Sequence, residues 1–372
     1  MMRVPLIRPY LTDEVRAKVL EVLDSGHWTE GPVTRELETA FREFTSCRHA
    51  LAVTSCTTGL EMALRCLEIG PGDDVIVPDY TYPATASVVA IIGARAVIVD
   101  CDPATMNIDY DAAERAIGPR TKAIIPVSLF GNPVDYARLN ALKARHHLWI
   151  VEDAACAIGA EYAGRRVGTQ ADITVFSLHP RKFITTGEGG VVTTEHDGWA
   201  GWMESYKHFG MGRATEREAI VFERIGTNYK MSNLNAAIGV VQMRHVDELL
   251  ATRRALSARY TEILSKHRGV SIPSTTPGGV HSYQSFCIQV PERDRILKTL
   301  RANGIEVQIG SYALHRHPAY QPGSHIDWRG PFTGSDAAYD SCLALPLFHE
   351  LTEAQQDAVT SALIEQLAGV AS

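Results

Sequence analysis

The segment Ser177-Leu178-His179-Pro180-Arg181-Lys182-Phe183-Ile184-Thr185-Thr186-Gly187-Glu188-Gly189-Gly190 holds one lysine between an apolar run and a glycine-rich turn. Residues 172–177 and 190–194 read as strands, so Lys182 stands in the connection between them. A lysine so placed can lose solvation, drop its pKa and present the neutral amine that attacks an aldehyde to form a Schiff base. A surface lysine beside a Gly-rich loop has the same local sequence. The segment alone leaves both readings open, and the stretches around it decide between them.

Working outward, residues 50–54 form a short apolar strand that runs into Ser55-Cys56-Thr57-Thr58-Gly59-Leu60-Glu61. Leu60, Ala63, Leu64 and Leu67 repeat at helical spacing, and Thr58 with Glu61 matches the capping box. A strand, a turn of small hydroxyl residues and a helix start leave free backbone amides at the positive end of a dipole, an anion site to which Thr57 and Thr58 can add hydroxyls. A plain helix cap is the other reading. Strands at 74–78, 96–100, 122–128 and 148–152 alternate with helices near 84–92, 110–117 and 134–146. They are apolar throughout, which predicts a mainly parallel sheet buried between helix layers, with ligands beyond the carboxyl ends of its strands. Tyr80-Thr81-Tyr82-Pro83 and Glu152-Asp153 lie at two such ends. From about 233 to 265 helices lead to a smaller α+β part, with strands near 283–290 and 305–309 and helices near 292–302, 335–342 and 352–368. The expected division is a large domain over 1–245 and a small C-terminal domain over 246–372.

The chain has 372 residues, 45% of them hydrophobic and 21% charged, which suits a folded globular protein. A net charge of -7 gives no general reason to expect nucleic acid or an acidic membrane surface as partner. Seven dispersed cysteines, with no CxxC pair and no cysteine-histidine cluster at zinc spacing, predict reduced thiols, no metal and a cytoplasmic protein. No apolar run has the length of a signal-peptide core at the start or of a membrane span later.

Six stretches together resemble the DegT/DnrJ/StrS family of sugar aminotransferases, which are fold-type I pyridoxal-phosphate enzymes. They are Thr54-Ser55-Cys56-Thr57-Thr58-Gly59-Leu60, the run from Val77 to Thr85, Val151-Glu152-Asp153-Ala154-Ala155, Phe176 to Lys182, Thr185 to Gly190, and Gly226-Thr227-Asn228-Tyr229-Lys230-Met231. The resemblance covers nearly the whole chain. It implies a mainly parallel, seven-stranded-type sheet and assigns roles by matching position. Lys182 would carry the cofactor as a Schiff base and, once freed, move the proton. Asp153 would pair with the pyridinium nitrogen, and Tyr82 would lie against the ring. Cys56, Thr57 and Thr58 would hold the phosphate with Ser177. Members are homodimers with shared sites, in which Asn228 would reach the phosphate from the other subunit.

Three positions depart from the family pattern. Cys56 stands where glycine is common, Cys156 stands where glutamine or histidine usually lies near the ring oxygen, and Lys207-His208-Phe209-Gly210 replaces an Asn-His-Gly turn. One branch of the family has histidine in place of the lysine and dehydrates its substrate; Lys182 argues here for transamination. The resemblance implies transfer of an amino group from L-glutamate or glutamine to a nucleotide-diphosphate-linked keto-deoxysugar. Arg213, Lys230, His315 and Arg316 are candidate cations for the diphosphate, His179 is a hydrogen-bonding residue close by, and Trp28 and Glu30 are candidate sugar-pocket residues. A cyclitol or amino-aromatic synthase of the same fold, or a non-catalytic regulatory protein on that fold, are the alternatives.

Overall fold

The computed structural model describes residues 3–212 and 220–368. Its centre is an eight-stranded sheet in the order His49–Val53, Gly190–Thr194, Ile173–Ser177, Trp149–Asp153, Thr121–Ile124, Asp74–Pro78, Arg95–Val99, Ile326–Arg329. Gly190–Thr194 runs antiparallel to both its neighbours, and the other paired neighbours are parallel. Seven of the strands come from residues 49–194, as the resemblance implies. The eighth, Ile326–Arg329, comes from the C-terminal stretch and pairs with Arg95–Val99.

The apolar strands are explained by burial on both faces. Successive residues of a strand point to opposite sides, so Ala52, Ile76, Ile150 and Phe176 pack into one core while Val53, Val75, Val151 and Val175 pack into another. The first core is closed by helices Pro32–Thr45 and Asn233–Arg244, the second by Cys56–Cys66 and Ala84–Ile91. A third core lies around the three-stranded sheet Phe286–Gln289, Cys342–Leu345, Gln308–Ile309. Sequence periodicity had carried a helix through Cys342; that residue instead opens the central strand of this sheet. Val4, near the N-terminus, bridges to Ile305 beside it, so chain crosses residue 245 in both directions.

One buried cation ties the periphery to the sheet. Lys207, at the end of helix Asp197–Lys207, is fully buried, and its Nζ lies 2.6 Å from Glu30 Oε1, 3.1 Å from Glu204 Oε2 and 3.3 Å from Glu38 Oε1. It also donates to the carbonyl of Ala52 at 3.3 Å, in the strand leading to the site. Burial alone would lower its pKa, but the facing carboxylates outweigh burial and the net direction is upward. Glu30, expected in a sugar pocket, is held by this lysine and by His208, whose Nε2 is 2.6 Å from Glu30 Oε2. Removing one partner of such a buried pair leaves uncompensated charge, so Lys207→Met is expected to cost about 3–5 kcal/mol of stability. Urea unfolding of variant and wild type measures this; a loss below about 1 kcal/mol would mean that the cluster behaves like an exposed ion pair.

Candidate active site

Parallel strands end on one edge of a sheet, and ligands sit beyond that edge. Val53, Pro78, Asp153 and Ser177 are the last residues of their strands, while Gly190 is the first of the antiparallel one. Gly190 pairs with both Val53 and Ser177, which brings the turn after Val53 beside Ser177. A Cβ on Gly190 would lie 2.7 Å from the backbone nitrogen of Cys56, so glycine is what lets the helix start approach this closely.

Helix Cys56–Cys66 begins one turn earlier than the Thr58/Glu61 reading placed it. Ser55 is its cap: Ser55 Oγ accepts from the Thr58 amide at 3.1 Å and Thr58 Oγ1 accepts from the Ser55 amide at 3.1 Å. Thr58 also donates to the Ser55 carbonyl, so its hydroxyl is committed to the cap. Glu61 instead accepts from Arg65 Nε and Tyr229 OH, both at 2.9 Å. Among the described residues the amides of Cys56 and Thr57 have no hydrogen-bond partner, and they are the free donors of the helix start. The Cys56 side chain faces the sheet and Asp153. It is buried with Sγ 3.9 Å from Asp153 Oδ1 and 3.7 Å from the Val175 carbonyl, and burial first, Asp153 second, push its thiol well above the ordinary range.

Asp153 is buried, accepting from Thr85 Oγ1 at 2.9 Å and from the Ala155 amide at 3.1 Å. Burial raises its pKa; the Thr85 bond is the largest opposing influence, and Lys182 adds to it. Lys182 Nζ donates to Cys156 Sγ at 3.0 Å, so the position that departs from the family pattern meets the lysine itself. The expected loss of basicity is reversed. Burial pulls Lys182 down, but the Cys156 hydrogen bond and the Asp153 carboxylate outweigh it and the net shift is upward. The lysine segment is pinned by two buried glutamines far away in sequence. Gln284 accepts from the Phe183 amide at 3.1 Å and donates to the Arg181 carbonyl at 2.8 Å, and Gln242 accepts from the Thr185 amide at 2.7 Å. Sequence reading missed both, along with Thr85, because nothing in local spacing marks their partners.

The other candidates separate. Tyr82 is 65% exposed, its ring 6.2 Å edge-on from Tyr312, which leaves a ring face open. Ser177 Oγ makes one long bond, 3.4 Å from the His179 amide. His179 serves its own turn, accepting from the Arg181 amide at 3.2 Å. Trp28 caps its preceding helix through the Leu23 carbonyl. His315 and Arg316, candidate cations for the diphosphate, have carboxylate partners. His315 Nδ1 lies 2.7 Å from buried Asp79, and Arg316 bonds Asp336 and Asp340. Lys230 donates to Asn228 Oδ1 at 2.6 Å, and burial lowers its pKa. Arg213 lies outside the described residues.

A buried carboxylate, a lysine and a helix start with free amides suit a cofactor that has a basic ring nitrogen, an aldehyde and a phosphate. The profile of the DegT/DnrJ/EryC1/StrS aminotransferase family matches residues 9–364. GDP-perosamine synthase of Caulobacter vibrioides is 37% identical over 373 residues, covering 98% of both chains. Among solved structures, the PMP-form of the putative sugar aminotransferase Spr1654 from Streptococcus pneumoniae aligns over the whole of both chains with a TM-score of 0.93 and 29% identity. The aminotransferase TlmJ from Streptoalloteichus hindustanus gives 0.92 at 29% identity, over 99% of this chain and 100% of its own. The protein belongs to the DegT/DnrJ/EryC1/StrS family of aminotransferases, of fold-type I. It is a pyridoxal-phosphate-dependent transaminase.

Glu152, next to Asp153, is fully buried and accepts from Ser128 and Tyr136 at 2.6 Å and from Thr174 at 3.3 Å. Burial raises its pKa from 4.5 to about 7 despite those donors. Because the folded-state value is raised, the folded state binds more protons between these limits, and the contribution of Glu152 to stability falls as pH rises through them. Glu152→Gln removes this dependence. The stability of wild type relative to the variant is therefore expected to decline from pH 4.5 to 7.5 in urea unfolding, and a flat or rising difference would contradict the assignment.

Proposed function

We propose that the protein transfers an amino group from L-glutamate to the keto carbon of a nucleotide-diphosphate-linked deoxyhexose. The observation that carries this reading is the meeting of Lys182, Asp153 and the free amides of the Cys56 helix start at one sheet edge, in a chain matched end to end by a GDP-perosamine synthase. That relative makes a GDP-linked sugar the first substrate to test.

In this reading Lys182 Nζ would hold the cofactor through its aldehyde and, when free, would serve as the base that moves the proton of the amine-bearing carbon. Bound pyridoxal phosphate supplies the electron sink that makes that proton acidic. Asp153 would pair with the ring nitrogen and favour its protonated form by charge, and Tyr82 would offer its open ring face for stacking. The amides of Cys56 and Thr57 would hold the phosphate with the hydroxyls of Thr57 and Ser177. Cys156 shares a hydrogen bond with Lys182 Nζ and so orients it before the aldehyde arrives.

The site is completed by a second copy of the chain. Residues 228–230 run beside strand His49–Val53, where Lys230 bridges Val53. Tyr229 reaches Glu61, and alternation along the segment turns Asn228 and Lys230 to the other side. The same region exposes Phe209, Val221, Phe222 and Ile225, the last 96% exposed, an apolar surface that suits an interface. Asn228 of the partner subunit would then reach the phosphate. Seven free cysteines suit the cytoplasm, where thiols stay reduced.

Reconstituted enzyme is expected to show a visible absorbance band that L-glutamate bleaches, and a GDP-linked keto-deoxyhexose should then restore it. Mass spectrometry of the sugar should show a ketone oxygen exchanged for an amine. Lys182→Ala should bind without the band and lose at least about a hundredfold in kcat. A band that no amino acid bleaches overturns the reading.

A further inference from the structure

Helix Ala84–Ile91 is apolar apart from Thr85 and Ser87, and the threonine in its first turn has no exposure to solvent. Thr85 Oγ1 is 2.9 Å from Asp153 Oδ2 and 2.9 Å from Thr81 Oγ1, and Thr81 is also fully buried. An ionised carboxylate only accepts, and each hydroxyl owns one proton. With Asp153 ionised, Thr85 must therefore spend its proton on Oδ2, and the proton of Thr81 fills the remaining bond. The direction of the whole chain is set by the charge on Asp153.

We propose that Thr81 and Thr85 form a positioning relay that keeps Asp153 ionised and aimed at the cofactor's ring nitrogen. This rests on the reading that Asp153 faces that nitrogen. The other oxygen, Oδ1, meets the Ala155 amide and the thiol of Cys56, so Thr85 is the donor that fixes the rotation of Oδ2. Burial pushes the Asp153 carboxyl up, and the Thr85 bond is the strongest influence holding it down. A threonine retained only for packing would be replaceable by valine of the same shape, since removal of a buried hydroxyl is nearly neutral when its partner is not left wanting. Here the partner is a buried carboxylate, and it is left wanting.

The test is titration of the apoenzyme of Thr85→Val, Thr85→Ser, Thr81→Val and Asp153→Asn with pyridoxal phosphate between pH 5 and 9, read by absorbance, with circular dichroism to show folding. Thr85→Val is expected to weaken cofactor binding roughly tenfold to a hundredfold, the range for a hydrogen bond to a charged group. Its affinity should also begin to fall with decreasing pH at a higher pH than in wild type, because Asp153 then takes up a proton more readily. Thr85→Ser should restore both quantities, and Thr81→Val should move the same pH midpoint in the same direction by less. Wild-type affinity and pH dependence in Thr85→Val, with Asp153→Asn impaired, overturns the relay and leaves the role of Asp153 standing. Unchanged binding in Asp153→Asn overturns that role and the relay with it. Should Thr85→Val not fold, an unmoved midpoint in Thr81→Val, or a Thr85→Ser that binds poorly while folded, is equally decisive against the relay.

Discussion

The constraint on which the site depends is a carboxylate held away from water. Asp153 ends a central strand, where the sheet and two helix layers exclude solvent, and a charge there persists only if donors replace the water it has lost. The Thr85 hydroxyl, the Ala155 amide and the Cys56 thiol come from three different elements, so each must be in place for the carboxylate to be satisfied. The geometry of the sheet edge supplies them together. Gly190 lets the Cys56 helix settle against the strand ends, and this seats the thiol over Asp153 while its amide, with that of Thr57, remains free.

Lys182 is governed by the same balance from the other side. Its ammonium loses solvation, yet the Cys156 sulfur accepts its hydrogen bond and the Asp153 carboxylate attracts it, and their influence exceeds the cost of burial. The family-departing cysteines at 56 and 156 are therefore members of one electrostatic cluster with Asp153 and Lys182. The backbone on either side of the lysine is held by Gln284 and Gln242, which come from the C-terminal stretch and from helix Asn233–Arg244. Lys207 plays a comparable part at the periphery, joining the loop of Glu30 to the strand that leads into Ser55.

Much of this was legible because the strands are short, apolar and followed by turn residues. Burial on both faces removes polar alternation, so a run such as Ile173 to Phe176 announces a central strand without any partner in view. The lysine segment, the helix start and Asp153 could be placed at strand ends for the same reason. Elsewhere tertiary contacts gave residues partners that local sequence does not show, and they overturned one capping assignment. His315 and Arg316 look like free loop cations until Asp79, Asp336 and Asp340 are brought to them. Glu30 looks like a loop carboxylate until Lys207 is buried beside it. Thr58 looks like the first residue of a capping box, but Ser55 takes that place and uses Thr58 as its reciprocal partner.

The sequence by itself determined the parallel sheet, the order of its first seven strands' elements, and the residue types that meet at their ends, since periodicity and turn chemistry are local properties. Only the tertiary structure decided which of those groups share a hydrogen bond and which are neutralised elsewhere. It added Ile326–Arg329 to the sheet, turned Cys56 toward Asp153 and gave Asp153 its threonine. The reason is physical: ionisation and hydrogen bonding depend on distance and exclusion of water, and both are set by residues far apart in the chain.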